Sequence, residues 1–231
     1  MTAAVPNAFD DPAYRQGVVE LLGLLAYGEI SAWERLAEDA KMAPTLAQEA
    51  EVAAMASAEW QHFTQLRDRL VALGEDPYEA MLPFRPIFER FHARTQPGDF
   101  LEGLLKAYVG DGLAADFYRE IAAFLDADTR ELVLDTLSGT GHSEFVVDVI
   151  RDAIMEEPRV GGKLALWGRR FMGEALSQAQ TVVAERDALT AVLVGNADRP
   201  GAIMDLTVIG RMLTRLTEAH TARMDKLGLA A

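Results

Sequence analysis

The chain has 231 residues, half of them hydrophobic and a quarter charged, enough to bury one sizeable core. Thirty-six acidic side chains against 22 basic ones give a formal charge of −14, which repels phosphate backbones and anionic membrane surfaces and argues against broad nucleic-acid binding. Cysteine is absent, which excludes disulfides, thiolate metal sites, iron–sulfur clusters and cysteine nucleophiles, so any metal must be held by nitrogen and oxygen.

Breaker and cap signals divide the sequence into segments of helical apolar period, and alternating strand-like runs are hard to find, so an all-α fold is expected. Met1 to Asp11 has neither a basic nor an apolar stretch, so no signal peptide is expected and the cytoplasm is the expected location. The longest apolar run, Leu21 to Tyr27, is interrupted by Gly23 and falls short of the ~20 residues that span a bilayer. A first helix starts at Asp11-Pro12 and runs to about Lys41, before Pro44. A second follows from Thr45, where Thr45 and Gln48 form a capping-box pattern, and lasts to Gly74. Pro77 to Gly98, rich in proline and phenylalanine, reads as a crossover with one short helix. A third long helix opens with Asp99 and Glu102 and ends near Asp126; a fourth opens with Asp128 and Glu131 and closes before Pro158. Two additional helices cover about Val160 to Val194 and Pro200-Gly201 to about Gly228. Two long hairpins joined by one crossover describe a ferritin-like antiparallel four-helix bundle at about 12–157. The two additional helices at about 160–228 complete a single domain over 1–231, where they cover an open face of the bundle or build a dimer interface.

The chemistry sits at the middle of the hairpins. Glu29 lies in an otherwise apolar stretch of the first helix, and a carboxylate buried there needs a partner or a metal. Glu59 and His62, three apart on the second helix, share a face and form the Glu-x-x-His ligand pair of carboxylate-bridged di-metal bundles. Residues equidistant from a hairpin turn lie at equal height: Glu29 is 15 before Pro44 and Glu59 is 15 after it. In the second hairpin, turning near residue 127, Asp111 is 16 before and His142 is 15 after. Glu-x-x-His alone is a weak motif, since 19 glutamates and four histidines give roughly 0.3 such pairs by chance. A second copy, Glu89-x-x-His92, lies in the crossover without an opposing acid and reads as coincidental surface chemistry. Trp33, one turn from Glu29, and Tyr108, one turn from Asp111, are near enough on helical spacing to line the site, although such aromatics are more often ordinary core.

Elsewhere, Arg159, Lys163, Arg169 and Arg170 surround Trp167 and form a basic stripe with an aromatic, with Arg211, Arg215 and Arg223 forming another on the last helix. Lys163, Arg169 and Arg170 are the nucleic-acid candidates, although such a stripe is usually a solvated face. Glu174 and Gln178 form a polar strip, behind the metal ligands or simply exposed, and His220 reads as a surface residue. Methionines at 172, 204, 212 and 224 suit adaptable packing of the additional helices.

The phrases AYGEISAWERLA, AEWQHF, KAYVGDGLAADFYREIA, GHSEF, ALWGRRFMGEALSQAQ and AERDAL span nearly the whole chain, and in them the sequence resembles the ferritin-like superfamily and, more narrowly, its MiaE-like members. These are relatives of the tRNA hydroxylase that oxidises an isopentenylated, methylthiolated adenosine. The resemblance implies two iron ions held by Glu29, Glu59, His62, Asp111 and His142, a modified tRNA as substrate and an external electron donor. A second acid-x-x-His pair would put a carboxylate three before His142, where this chain has Gly139; Asp135, one turn earlier on that face, could reach the site through water. Three function classes stay open: an oxygen-dependent di-iron hydroxylase, a ferritin-like metal-binding or peroxide-scavenging protein, and a metal-free structural or partner-binding bundle. Carboxylate and imidazole ligands also accept manganese or zinc.

Overall fold

In the computed structural model, residues 8–136, 143–193 and 206–231 are described, and every regular element among them is helical. Helix α1 (Pro12–Asp39) begins where Asp11 accepts a hydrogen bond from the Ala13 amide and Pro12 fills the first turn. It ends in a 3-10 turn, Ala40–Met42, ahead of Pro44. In α2 (Leu46–Ala72) the Thr45 hydroxyl caps the Gln48 amide at 3.2 Å. Its far end closes as a Schellman turn: Gly74, at φ +80°, donates to the Val71 carbonyl and Glu75 to that of Leu70. The first hairpin is therefore the one expected.

The crossover holds two helices rather than one, α3 (Pro77–Met81), capped by Asp76, and α4 (Arg85–Arg94). Helix α5 (Phe100–Ile121) is capped by Asp99 through the Glu102 amide, as expected. Beyond it the expectations need correcting. The cap of α6 (Ala127–Asp135) is Asp126, which accepts from the Thr129 amide at 3.0 Å, so the helix starts one residue before Asp128. The fourth helix is described in two pieces, α6 and α7 (Ser143–Glu156), with 137–142 outside the described residues. The next expected helix is likewise two: α8 (Pro158–Glu185) ends at Arg186, whose backbone leaves the helical region, and α9 (Asp187–Leu193) follows it. With α10 (Leu206–Lys226), three helices follow the bundle among the described residues instead of the two expected; Pro200 and Gly201 lie outside the described residues. Among the described residues no helix is long and apolar enough to cross a membrane.

The interior is divided into two apolar clusters stacked along the bundle axis. One joins the first half of α1 to the second half of α2, with Leu21, Leu22, Leu66, Leu70, Ile121 and Leu189 fully buried. The other gathers the opposite ends, with Leu104, Leu105, Val109, Ile150, Leu164 and Met224. Close approach to α1 depends on Gly23, where a Cβ would collide with the carbonyl oxygen of Ala80 in α3. Backbone cannot yield as a flexible side chain does, so Gly23→Ala is expected to lower stability by about 2 kcal/mol, read as a reduced urea midpoint.

Candidate metal centre

Between the two apolar clusters lies a seam of ionisable groups. On α1, Glu29 falls between Ala26 of one cluster and Leu36 of the other; on α2, Glu59 and His62 fall between Ala56 and Phe63. Helical period and the hairpin turn thus bring all three to one height, as the sequence arithmetic expected. One ligand atom from each of Glu29, Glu59 and His62 lies within 4.8 Å of the other two. His62 Nδ1 is 3.6 Å from Glu29 Oε2 and 3.7 Å from Glu59 Oε2, and Glu29 is only 6 % exposed.

These separations test whether an ion fits. Oxygen and nitrogen donors about 2.1 Å from a transition-metal ion, at angles of 90–120°, stand about 3.0–3.6 Å apart. The His62–carboxylate distances stand at the wide end of that window and 0.1 Å beyond it, a gap that a small side-chain shift closes, and the donor set is the oxygen and imidazole chemistry that iron, manganese and zinc accept. The residues present therefore fit a metal ion.

Protons occupy the seam in the absence of metal. Burial opposes charge on Glu29, but hydrogen bonds with Glu59, His62 and Tyr118 outweigh it and hold its carboxyl below the ordinary range. Glu59 is pushed up to about 8, first by burial and then by sharing its proton with Glu29. Burial disfavours charge on His62 as well, yet the two carboxylates lift it to about 10. The seam therefore reads as a Glu29 carboxylate flanked by a protonated Glu59 and a His62 imidazolium. Tyr118, fully buried on α5, donates its hydroxyl to Glu29 Oε1 at 2.5 Å, leaving Oε2 to face His62.

Sequence reasoning passed over Tyr118 and singled out Tyr108. Tyr108 is buried in the second apolar cluster, whereas Tyr118 stands two helical turns after Asp111, an i, i+7 spacing that places it on the same face and could have identified it. Asp111 is half-buried on α5, and its carboxyl is raised to about 6 by burial first and by Glu59 second. It feels the seam electrostatically without joining the three-residue group. His142 and Gly139 lie outside the described residues. Trp33 packs on Trp60, ring centroids 5.4 Å apart, and Trp60 reaches the surface. Asp135 is exposed on α6, and Glu174 pairs with Arg94 at 3.3 Å.

The three nucleic-acid candidates of α8 are engaged within the chain. Lys163 bonds Asp99 and Glu102, Arg169 donates to the Ala230 carbonyl, and Arg170 donates to that of Arg94. On α10, Arg215 grips Glu120 with two bonds of 2.6 and 2.5 Å.

Two histidines differ from expectation. His220 is buried, 3 % exposed, because α10 turns it inward between Leu216 of the first apolar cluster and Met224 of the second, and both ring nitrogens lack partners. His92 is half-buried against Phe88 and Phe91 while Glu89 turns outward to Arg85, so the second Glu-x-x-His does not converge. Ser31 Oγ donates to the Gly28 carbonyl, so His92 donates from Nε2 to that hydroxyl at 3.2 Å, and its Nδ1 is left buried without a partner. Burial, then the charges of Lys106 and Arg35, depress its imidazole from 6.5 to about 3. The unfolded chain therefore gains a proton that the folded one refuses, and stability is lost as pH falls below 6.5. This group alone is expected to remove about 1.4 kcal/mol per pH unit, and His92→Phe is expected to flatten the acid limb of a urea-midpoint series.

Residues 12–196 match the family model described as ferritin-like domain, actinomycetes. Among solved structures, the fold is similar to that of "Protein 19 with aldehyde deformylating oxidase activity from Synechococcus", with a TM-score of 0.71 and 18 % identity over 95 % of this chain and 93 % of that one. A likeness at that identity is one of fold. No curated protein matches the sequence.

Proposed function

Because the chain belongs to the ferritin-like domain family of actinomycetes, we propose that it is a metal-dependent, oxygen-using oxidoreductase with iron held by Glu29, Glu59 and His62. The observation that carries this reading is the convergence of one imidazole and two carboxylates, all shielded from solvent, at the height where a ferritin-like bundle places metal ligands. Bound iron would supply the redox couple that reduces O₂ and oxidises a carbon centre, with electrons resupplied by an external donor.

The protein's own groups have definite tasks. Tyr118 fixes Glu29 through Oε1, so that Oε2 is presented toward the ion. Glu59 and His62 must each give up a proton to bind, so metal uptake releases protons and strengthens with pH. Apparent affinity is expected to rise up to about tenfold per pH unit for each proton displaced, measured by iron titration at pH 6, 7 and 8. Asp111, and His142 by the family resemblance, are the ligands we assign to the other half of the bundle.

For the substrate we propose an aliphatic group. The MiaE-like phrases of the sequence suggest the isopentenyl side chain of a modified adenosine in tRNA, and the similarly folded Synechococcus protein has aldehyde deformylating oxidase activity. A second reading, a metal-free scaffold, is favoured by one observation: Tyr118 donates a hydrogen bond to Glu29 and His62 stands at ion-pair distance from Glu29 and Glu59, so the buried carboxylate has partners within the chain. The deciding experiment is iron content after anaerobic ferrous loading, for the native protein and His62→Ala, followed by oxygen uptake with isopentenylated tRNA and with a long-chain aldehyde. Iron retained by the native protein and lost in the variant, with substrate-dependent oxygen uptake, is the expected result. A native protein that folds but retains no iron overturns the oxidoreductase reading in favour of the scaffold.

A further inference from the structure

Helix α10 follows the residues that match the family and lies against α5 and α8. It docks through a stripe at the helical period, Ile209, Met212, Leu216 and Met224, each less than a tenth exposed. Gly168 of α8 leaves the room that Met224 fills, and Gly112 of α5 leaves room for Arg223, which bonds Asp116. Within this apolar stripe stands one polar residue, His220, four positions from Leu216 and four from Met224. Both of its ring nitrogens are buried without a partner. A neutral imidazole there leaves one donor and one acceptor unsatisfied, and a charged one leaves two donors and a buried positive charge.

The charged groups around it do not offset that charge. Arg223, three residues on along α10, repels it, and Glu218 is exposed. On α5, Glu102 is bonded to Lys163, Asp116 to Arg223 and Arg119, Glu120 to Arg215, and Lys106 to the Thr95 carbonyl, while Asp111 feels Glu59, His62 and Arg223. On α8, Glu174 is bonded to Arg94, Glu185 is exposed at the helix end, and Lys163, Arg169 and Arg170 are engaged as described. We propose that α10 is a releasable strap: docked, it keeps His220 neutral, and acid favours its release from α5 and α8 by charging that one side chain, while the bundle beneath stays folded. Release bares the face of α5 that carries Gly112, Asp116 and Glu120. The inference does not depend on metal.

Burial first and Arg223 second hold the imidazole below its ordinary 6.5, so a released helix takes up a proton that the docked one refuses. Release therefore gains up to about tenfold per pH unit below 6.5. The apolar stripe keeps the released form a minority, which hydrogen exchange reads segment by segment. Exchange is followed by mass spectrometry at pH 7.5 and 5 for the native protein, His220→Leu and His220→Gln, with rates corrected for the intrinsic pH dependence of amide exchange. His92 weakens the whole bundle in acid, so the comparison is between segments. In the native protein the protection of α10 is expected to fall by about tenfold more than that of α1 and α2, and in both variants this excess is expected to vanish. Equal losses in α10, α1 and α2 would show that the helix does not leave by itself and overturn the strap. An excess that persists in the variants would assign the effect to another group and overturn the role of His220. Leucine completes the apolar stripe and glutamine keeps a neutral polar group, so either variant that folds by circular dichroism decides the matter.

Discussion

His62→Ala is expected to weaken iron binding by more than about a hundredfold and to destabilise the metal-free protein by about 3 kcal/mol. The first effect follows from removing the imidazole of the three-residue cluster, which leaves two carboxylates on neighbouring helices. The second follows from the charge left behind. Glu29 is buried as a carboxylate, and the imidazolium 3.6 Å away is what makes its burial tolerable. Removing one member of a buried pair strands the other, which costs more than the pair was worth. The pH dependence separates this cause from a packing defect. His62 has a folded-state value near 10, above its ordinary 6.5, so its contribution is complete below pH 6.5 and disappears as pH rises through 10. The gap between native and variant urea midpoints is therefore expected to narrow from pH 6.5 to 10, whereas a cavity would leave it constant.

Tyr118→Phe is the second large effect, and it isolates the support of the ligand from the ligand itself. Phenylalanine fills the same space and removes one hydrogen bond of 2.5 Å to a buried carboxylate, a bond to a charged group worth about 1.5–3 kcal/mol. Groups that orient metal ligands also contribute to affinity, so iron binding is expected to fall by about 10- to 100-fold without a change in the number of ions bound. Tyr108→Phe, in the apolar cluster, serves as the control, with iron affinity expected to change by less than about twofold. Equal losses in the two variants would show that the Tyr118 hydroxyl has no special part in holding Glu29.

The contrast between these two tyrosines shows what could be read in the sequence and what could not. Caps and breakers located α1, α2 and α5 because those signals are local: Asp11 with Pro12, Thr45 with Gln48, and Asp99 with Glu102. Height-matching about Pro44 placed Glu29 opposite Glu59 and His62 because antiparallel hairpins obey simple arithmetic. Contacts made across the fold left no such trace. The break between α8 and α9 at Arg186 has neither glycine nor proline to announce it; there Arg186 lies over Phe84, and the Thr190 hydroxyl reaches back to the Val183 carbonyl. His220 looked superficial beside Glu218 in the sequence, although tertiary packing of α10 buries it. The basic stripes looked like free charge for the same reason. The acidic partners of Lys163, Arg215 and Arg223, which are Asp99, Glu102, Asp116 and Glu120, all belong to α5 or its cap, 61–107 positions away in the chain.

The polar layer between the two apolar clusters also acts as a vernier for the bundle. Apolar contacts are non-directional, so leucines alone discriminate weakly against a slide of one helical turn, about 5.4 Å. Glu29 does not: displaced by a turn, it leaves His62 and Tyr118 behind and lodges unpaired against hydrocarbon. A single alignment of α1 on α2 is thereby selected from a ladder of near-equivalent ones, the task performed by an isolated polar residue in a coiled-coil seam. The residues assigned here to metal chemistry thus serve earlier in the life of the chain as an alignment mark, read while the helices dock and before any ion arrives.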